Sequence, residues 1–289
     1  MLKYAYYPGC SVKGTGKHYE ASLMAVFRVL GIELEEIPDW NCCGATAYMA
    51  VDEMVAFGMV ARNLALIQKM GYSEVVAPCA ACYLGLKKAQ AYVLEYPDIA
   101  ARVSDALKKV GLEFSYERPL SIKHPLEVIV QDYGLDKLRD RVTNPLTGQR
   151  IVPYYGCQLT RPFPDMDESF FPTIMDKVLA ALGADVLSDF SLKTRCCGAS
   201  LTGTIPEAGV RMAWLLIQEA MKEGGDYMVV ACPLCQFNME SFQDKMRAYG
   251  SKGNPKFPVL YFTQAIGLAL GIPRKDLGFS QLVYVPAGI

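Results

Sequence analysis

Cysteine is the residue type here that could do chemistry, and its arrangement is regular. Ten cysteines and only two histidines occur in 289 residues. The cysteines form two sets of five with one grammar: Cys10, Cys42-Cys43 and Cys79/Cys82, then Cys157, Cys196-Cys197 and Cys232/Cys235. Intervening residues number 31, 35 and 2 in the first set and 38, 34 and 2 in the second, with no cysteine left over. Flanking residues match as well, Cys42-Cys43-Gly44-Ala45 against Cys196-Cys197-Gly198-Ala199 and Gly9-Cys10 against Gly156-Cys157. The chain therefore carries an internal duplication.

The compartment bears on what these thiols do. The N-terminus lacks the charged and apolar regions of a secretory signal. No uncharged apolar run is long enough to span a bilayer, because Arg62, Asn63, Gln68 and Lys69 interrupt the stretch from Met54 to Met70. A soluble cytoplasmic chain is predicted, in which thiols stay reduced and serve metal or redox chemistry rather than disulfides. A Cys-x-x-Cys pair alone is compatible with zinc, thioredoxin-type exchange or iron–sulfur. Zinc and a cubane cluster are each satisfied by four thiolates, one fewer than each set offers. Adjacent cysteines chelate one metal poorly because a trans peptide splays their side chains, so a vicinal pair suits two different irons, or one terminal and one bridging role. Iron–sulfur is the expected chemistry; structural zinc and a dithiol relay are the alternatives.

The elements that must position these residues alternate strand and helix. Strands are predicted at Lys3–Tyr7, Glu33–Ile37 and Glu74–Ala77, and again at Ile151–Tyr155, Ala184–Leu187 and Tyr227–Ala231. Helices between them run from Tyr19 to Leu30 and from Asp52 to Met70, with second-half counterparts lined by Phe171, Ile174, Met175, Val178 and Leu182 and by Val210, Trp214, Ile217 and Met221. The expected fold is α/β: two tandem duplicated domains, residues 1–148 and 149–289, each with a mostly parallel sheet flanked by helices. Asn144, Pro145 and Gly148 mark the loop between them. Every cysteine group follows a strand, so each set of five is expected at the carboxyl edge of its sheet.

Other features exclude or add less. Net charge is -1 without a basic block, which argues against nucleic acid and against a polybasic membrane anchor. Gly14-x-Gly16 is not a dinucleotide fingerprint, so no nicotinamide site is expected, nor does any flavin motif occur. Arg195, where the first half has Asn41, is a candidate to tune the second centre or grip an anion; a solvent-facing arginine is the alternative. His124 is a candidate proton donor to a product thiolate, against a buried structural histidine. His18 is expected at a solvated helix position, and Lys13, Lys17 and Arg161 on a solvated face rather than a basic rim. Tyr4, Tyr6, Tyr7, Tyr154 and Tyr155 are expected to pack the strands, and the apolar stretch Leu282–Pro286 to pack on its own domain.

With both cysteine motifs in place, the chain resembles the CCG-domain (cysteine-rich domain) family, and within it the B-type subunit of heterodisulfide reductase and its bacterial homologues. The likeness spans Cys10 to Cys82 and Cys157 to Cys235 and includes Pro38-Asp39-Trp40-Asn41-Cys42-Cys43-Gly44-Ala45. In methanogen members each five-cysteine motif binds a non-cubane 4Fe-4S cluster and a heterodisulfide is cleaved between the two. The resemblance thus implies Cys10, Cys42, Cys43, Cys79 and Cys82 as ligands of one cluster, and Cys157, Cys196, Cys197, Cys232 and Cys235 as ligands of the other. It implies two partners, a ferredoxin-like iron–sulfur subunit of the C type and a flavin-containing subunit of the A type, with a small thiol or disulfide as substrate. Gln158 after Cys157 and the loop Ser11–Lys17 depart from the methanogen pattern, which points to the bacterial or sulfur-metabolising type and to another disulfide, thiol or thiol-bound sulfur species. Beside this catalytic reading stands an electron-transfer iron–sulfur subunit of a glycolate, lactate or succinate/fumarate oxidoreductase relaying to quinone.

Overall fold

The structure is a computed structural model and describes residues 2–250, 252 and 254–288. In the first sequence half the order is β1 (Leu2–Tyr6), α1 (Gly9–Lys13), α2 (Lys17–Leu30), β2 (Ile32–Glu36), α3 (Tyr48–Val51), α4 (Glu53–Lys69), β3 (Glu74–Val76), α5 (Ala80–Glu95), α6 (Pro97–Lys109) and β4 (Ser121–Lys123). Short helices α7 (Pro125–Glu127) and α8 (Leu135–Asp140) follow, joined by a π-helical turn at Val128–Gly134. The second half contributes β5 (Arg150–Tyr154), α9 (Ile174–Ala181), β6 (Asp185–Val186), α10 (Ala199–Thr202), α11 (Pro206–Lys222), β7 (Tyr227–Val230), α12 (Pro233–Ser241), β8 (Val259–Tyr261) and α13 (Phe262–Ala269).

Local signals set the helix ends. The Asp52 carboxylate accepts from the backbone N–H groups of Met54 and Val55 at 3.0 and 3.2 Å, capping α4. Gly31 ends α2 in the left-handed conformation, at φ +72°, where a side chain would be strained. Two four-stranded sheets result, ordered β2-β1-β3-β4 and β6-β5-β7-β8, and every pairing is parallel. Their inner strands are deeply buried: Ala5 and Tyr6 in β1, Val75 and Val76 in β3, and all of β7. Such strands read as continuous apolar runs because helices cover both faces. The edge strands β4 and β8 carry too little apolar pattern, three residues each, to stand out in the sequence.

In both sheets the chain runs from the central strand to one side and then returns to the other. That reversal, between β1 and β3 and between β5 and β7, is the place where doubly wound sheets open a crevice at their carboxyl ends.

The duplication and the packing divide the chain differently. The division expected at 148/149 separates the two cysteine sets, whereas the compact units are 1–10 with 32–125, and 11–31 with 126–289. The second unit thus draws on both halves: α2 packs against α13, and α8 packs against α9. The α2–α13 packing is aromatic and polar, with Tyr19 stacked on Tyr261 at 4.3 Å and Ser22 Oγ 2.6 Å from Thr263 Oγ1. His18, expected in solvent, lies in this packing: it is buried and its ring sits 4.9 Å from that of Tyr261. Neither of its ring nitrogens has a hydrogen-bond partner. Burial holds its pKa below the usual histidine value. The helix periodicity of Leu23, Val26, Phe27 and Leu30 gave no sign that a second face of α2 is also covered.

Candidate metal centres

Three segments meet at the carboxyl edge of the first sheet. Cys10 follows β1, the Cys42-Cys43 pair lies in the loop after β2, and Cys79 is the N-cap of α5, with Cys82 inside its first turn. The second sheet repeats this, with Cys157 after β5, Cys196-Cys197 after β6, and Cys232 as N-cap of α12 with Cys235 in its first turn. A Cys-x-x-Cys pair at a helix N-terminus faces the positive end of the helix dipole, which favours thiolate and any anionic group it holds.

The vicinal cysteines point to different partners. Cys42 Sγ lies 3.7 Å from Cys10 Sγ, whereas Cys43 Sγ lies 3.4 Å from Cys82 Sγ. In the second half Cys197 Sγ is 3.3 Å from Cys235 Sγ, while the Cys196 thiol interacts electrostatically with that of Cys157. The Gly44 and Gly198 N–H groups donate to Cys42 and Cys196 Sγ at 3.4 and 3.3 Å. Among the described residues, no three His, Cys, Asp or Glu side chains gather as one metal ion would require. Five thiols spread over two close pairs and a flanking cysteine fit a polynuclear iron–sulfur group, with the two members of each vicinal pair serving separate positions.

The thiols are unequal. Hydrogen bonds with Cys10 and Cys43 hold Cys42 below the usual thiol range, while bonding with Cys43 and Cys79, together with burial, pushes Cys82 well up. Likewise Cys196 is lowered by its bond with Cys157 and, less, by the Gly198 N–H and the Arg161 charge, while Cys235 is pushed up by Cys197, Cys232 and burial. A bound cation reverses this for the buried members, since it deprotonates a coordinating thiol.

Glycine makes room beside the buried sulfurs. Gly9 has φ +73°, and a Cβ there would lie 2.7 Å from Cys82 Sγ; at Gly156, φ +78°, it would lie 3.3 Å from Cys235 Sγ. At both positions the backbone passes close to a buried sulfur at positive φ, more tightly at Gly9 than at Gly156.

Two tyrosines expected only to pack prove to hold the cysteine loops. Tyr7 Oη donates to the Asn41 carbonyl at 2.8 Å, and Tyr154 Oη donates to the Arg195 carbonyl at 2.5 Å. Each tyrosine stands three residues before the first cysteine of its set, and each accepting carbonyl immediately precedes a vicinal pair. Burial and the surrounding thiolates raise both phenols, Tyr7 through Cys82, Cys43, Cys42 and Cys10, and Tyr154 through Cys235, Cys197, Cys157 and Cys196. One ring thus senses four sulfurs of its set. The repeat of Tyr at Cys minus three was the available signal.

Amides fix the same loops by different means. Asn63 bonds both the N–H and the carbonyl of Asn41, at 3.0 and 2.9 Å. In the second half Asn238 Nδ2 donates to the Cys197 carbonyl at 2.8 Å. The position equivalent to Asn238, three after the last cysteine, is Gly85, where a Cβ would sit 3.7 Å from that of Cys43.

The other candidates fall unevenly. His124 is fully buried at the end of β4, and its Nε2 lies 3.0 Å from the Pro78 carbonyl, next to Cys79. Arg195 brings its carbonyl to the site while its side chain is exposed. Arg161 is anchored on the loop before Cys196: it is half-buried, its guanidinium donates to the Thr194 carbonyl at 2.5 Å and lies 5.5 Å from the Phe170 ring. Lys193, unremarked in the sequence, forms a buried ion pair with Asp176 at 2.5 Å, and Tyr155 donates to the same carboxylate at 2.5 Å. The Lys193 carbonyl accepts from Tyr155 and Gly156 N–H, tying the approach to Cys196 to the end of β5.

Fold and site together define a tandem α/β protein with a five-cysteine centre at the switch point of each parallel sheet. The chain belongs to the CCG cysteine-rich domain family, whose model matches residues 4–87 and 151–240. It is 32% identical over 97% of its length to the 8-methylmenaquinol:fumarate reductase membrane anchor subunit of Wolinella succinogenes, covering 96% of that protein. It is 30% identical over 96% of its length to a protein of Archaeoglobus profundus like the B-type subunit of heterodisulfide reductase, covering 94% of it. The B-type subunit of a ferredoxin:CoB-CoM heterodisulfide reductase from Methanosarcina mazei is 28% identical over 97% of this chain and is 93% covered. A crystal structure of a hypothetical protein from Helicobacter pylori shares the fold, with TM-score 0.80, 15% identity and 99% of this chain matched. This chain spans about half of that one, 53%. Among the described residues no helix is long and apolar enough to cross a membrane.

Proposed function

We propose that this chain is the catalytic iron–sulfur subunit of a heterodisulfide reductase-like complex. It would reduce, or in the opposite direction form, a disulfide or thiol-bound sulfur substrate at two non-cubane 4Fe-4S clusters. The observation that carries this reading is that the first vicinal pair divides, Cys42 toward the single cysteine and Cys43 toward the Cys-x-x-Cys pair, and that Cys197 repeats the second of these contacts with Cys235. Cys10, Cys42, Cys43, Cys79 and Cys82 would hold one cluster, and Cys157, Cys196, Cys197, Cys232 and Cys235 the other. Such a group supplies one-electron chemistry and an iron able to take a thiolate. The chain supplies position and field: Tyr7 and Tyr154 hold the loops, Gly9 and Gly156 let the backbone approach, and Gly44 and Gly198 donate to sulfur. His124 fixes the Pro78 carbonyl and thereby the start of α5; the proton-donor role expected of it, and the anion-gripping role of Arg195, belong to this proposal. Electrons would enter from a ferredoxin-like protein fed by a flavin-containing one, in the cytoplasm.

A second reading is favoured by one observation, the full-length likeness to a component of a quinol:fumarate reductase. In it the same two centres would only relay electrons. Anaerobic purification with iron and sulfide quantification, followed by EPR during thiol oxidation, tests both. About eight irons per chain and a new paramagnetic signal on adding thiol under oxidising conditions support the catalytic reading. A full iron content without thiol sensitivity favours the relay, and zinc without sulfide ends both.

A further inference from the structure

The two centres share their ligands but not their charges. Four residues after the first cysteine of each set stands Gly14 in one half and Arg161 in the other. The Arg161 guanidinium is held from two sides, by the Thr194 carbonyl two residues before Cys196 and by the Phe170 ring. It has no carboxylate partner among the described residues, and the carbonyl that anchors it belongs to the loop leading into Cys196-Cys197. The first centre has an arginine nearby too, but a neutralised one: Arg62 bonds Asn41 Oδ1 at 3.0 Å and forms an ion pair with Asp39. Lys193, beside the second centre, is likewise paired, with Asp176. A half-buried cation without a carboxylate partner is thus anchored on the loop entering the second vicinal pair, whereas the matching first-half position is Gly14, and Lys87 on α5 is turned to the Tyr83 hydroxyl.

We propose that Arg161 makes the second five-cysteine centre the more easily reduced of the two, so that an electron delivered to this chain resides there first. This rests on the iron–sulfur reading above. Uptake of one electron from an external one-electron donor adds one negative charge to the centre and makes or breaks no bond. A fixed cation outside the ligand set lowers the energy of the more negative form, and partial burial limits its screening by solvent. Arg161 acts as a positioning residue of charge, not as a ligand.

The test is an EPR-monitored redox titration of the anaerobically purified full-length protein, with dithionite as reductant, alongside iron and sulfide quantification. Cys42→Ser alters the first centre and so assigns the two signals. The wild type is expected to show the higher potential for the second centre. Arg161→Gln, which keeps a donor for the Thr194 carbonyl, lowers that potential and leaves the first unmoved; Arg161→Lys, which keeps the charge, restores most of the difference. An iron-loaded protein in which Arg161→Gln moves neither potential, or both equally, or in which the first centre is the higher, overturns the proposal alone. A protein holding no iron and sulfide overturns the iron–sulfur reading and the proposal with it.

Discussion

Replacing Gly9 by alanine should cost the first centre its cluster, and the same change at Gly156 should cost the second much less. Both residues have positive φ, +73° and +78°, so each alanine carries a backbone penalty of about 1–2 kcal/mol. That part is equal, and for a chain of this size it lowers Tm by roughly 2–4 °C in either variant. The contacts differ. A Cβ on Gly9 would lie 2.7 Å from Cys82 Sγ, against a comfortable separation of roughly 3.5–4 Å, so the sulfur must retreat by about 1 Å. At Gly156 the distance to Cys235 Sγ is 3.3 Å, and a few tenths of an ångström suffice. Metal–ligand distances tolerate about 0.2 Å. Iron and sulfide per chain after anaerobic purification should therefore fall to about half in Gly9→Ala and stay close to wild type in Gly156→Ala. EPR reports which centre is lost, and thermal unfolding reports the shared backbone cost. Full iron in Gly9→Ala, or equal loss in the two variants, would refute the argument from the sulfur contact.

Other expectations follow from the same geometry. Tyr7→Phe and Tyr154→Phe each remove one hydrogen bond to the carbonyl before a vicinal pair, a loss of about 0.5–1.5 kcal/mol, and each should change the EPR signal of its own centre only. Lys193→Met leaves Asp176 buried without its cation and should destabilise the chain by about 3–5 kcal/mol in urea unfolding, whereas the double change Lys193→Met, Asp176→Leu recovers most of it. Burial raises Glu240 from 4.5 to about 6, against the Gln236 amide and the Val283 and Tyr284 N–H groups that favour its charge. Its proton is bound more tightly in the folded chain, so its contribution is full below about pH 4.5 and is lost by about pH 6, a change of about 2 kcal/mol. Glu240→Gln should flatten the pH dependence of unfolding across that window; an unaltered slope would show that another group carries it.

The repeat and the strands that carry the cysteines were legible in the linear chain. Cysteine spacing shows the duplication because it recurs with little drift, and the apolar runs before Cys10, Cys79, Cys157 and Cys232 mark buried parallel strands. The divergence of Cys42 from Cys43 was foreseeable too, since it follows from the geometry of a trans peptide. What escaped was everything that depends on partners distant in sequence. Tyr7 and Tyr154 look like any strand aromatic until the loop 34 or 41 residues away places a carbonyl above the hydroxyl. Lys193 looks like a surface lysine until Asp176 and Tyr155 close over it. His18 looks solvated until α13 packs on α2.

By itself, then, the sequence determined the cysteine pattern, the repeat and the α/β alternation, because each is written in residue type and short-range period. Only the tertiary structure decided which helices belong to which compact unit, which hydroxyls and amides hold the cysteine loops, and which arginine is anchored on the loop before Cys196. Arg195 is adjacent to Cys196 in sequence yet is exposed, while Arg161, 35 positions away, is anchored on the Thr194 carbonyl two residues before it. Chain neighbours at the end of a loop point in different directions, so charge reaches the centre through the fold and not along the backbone.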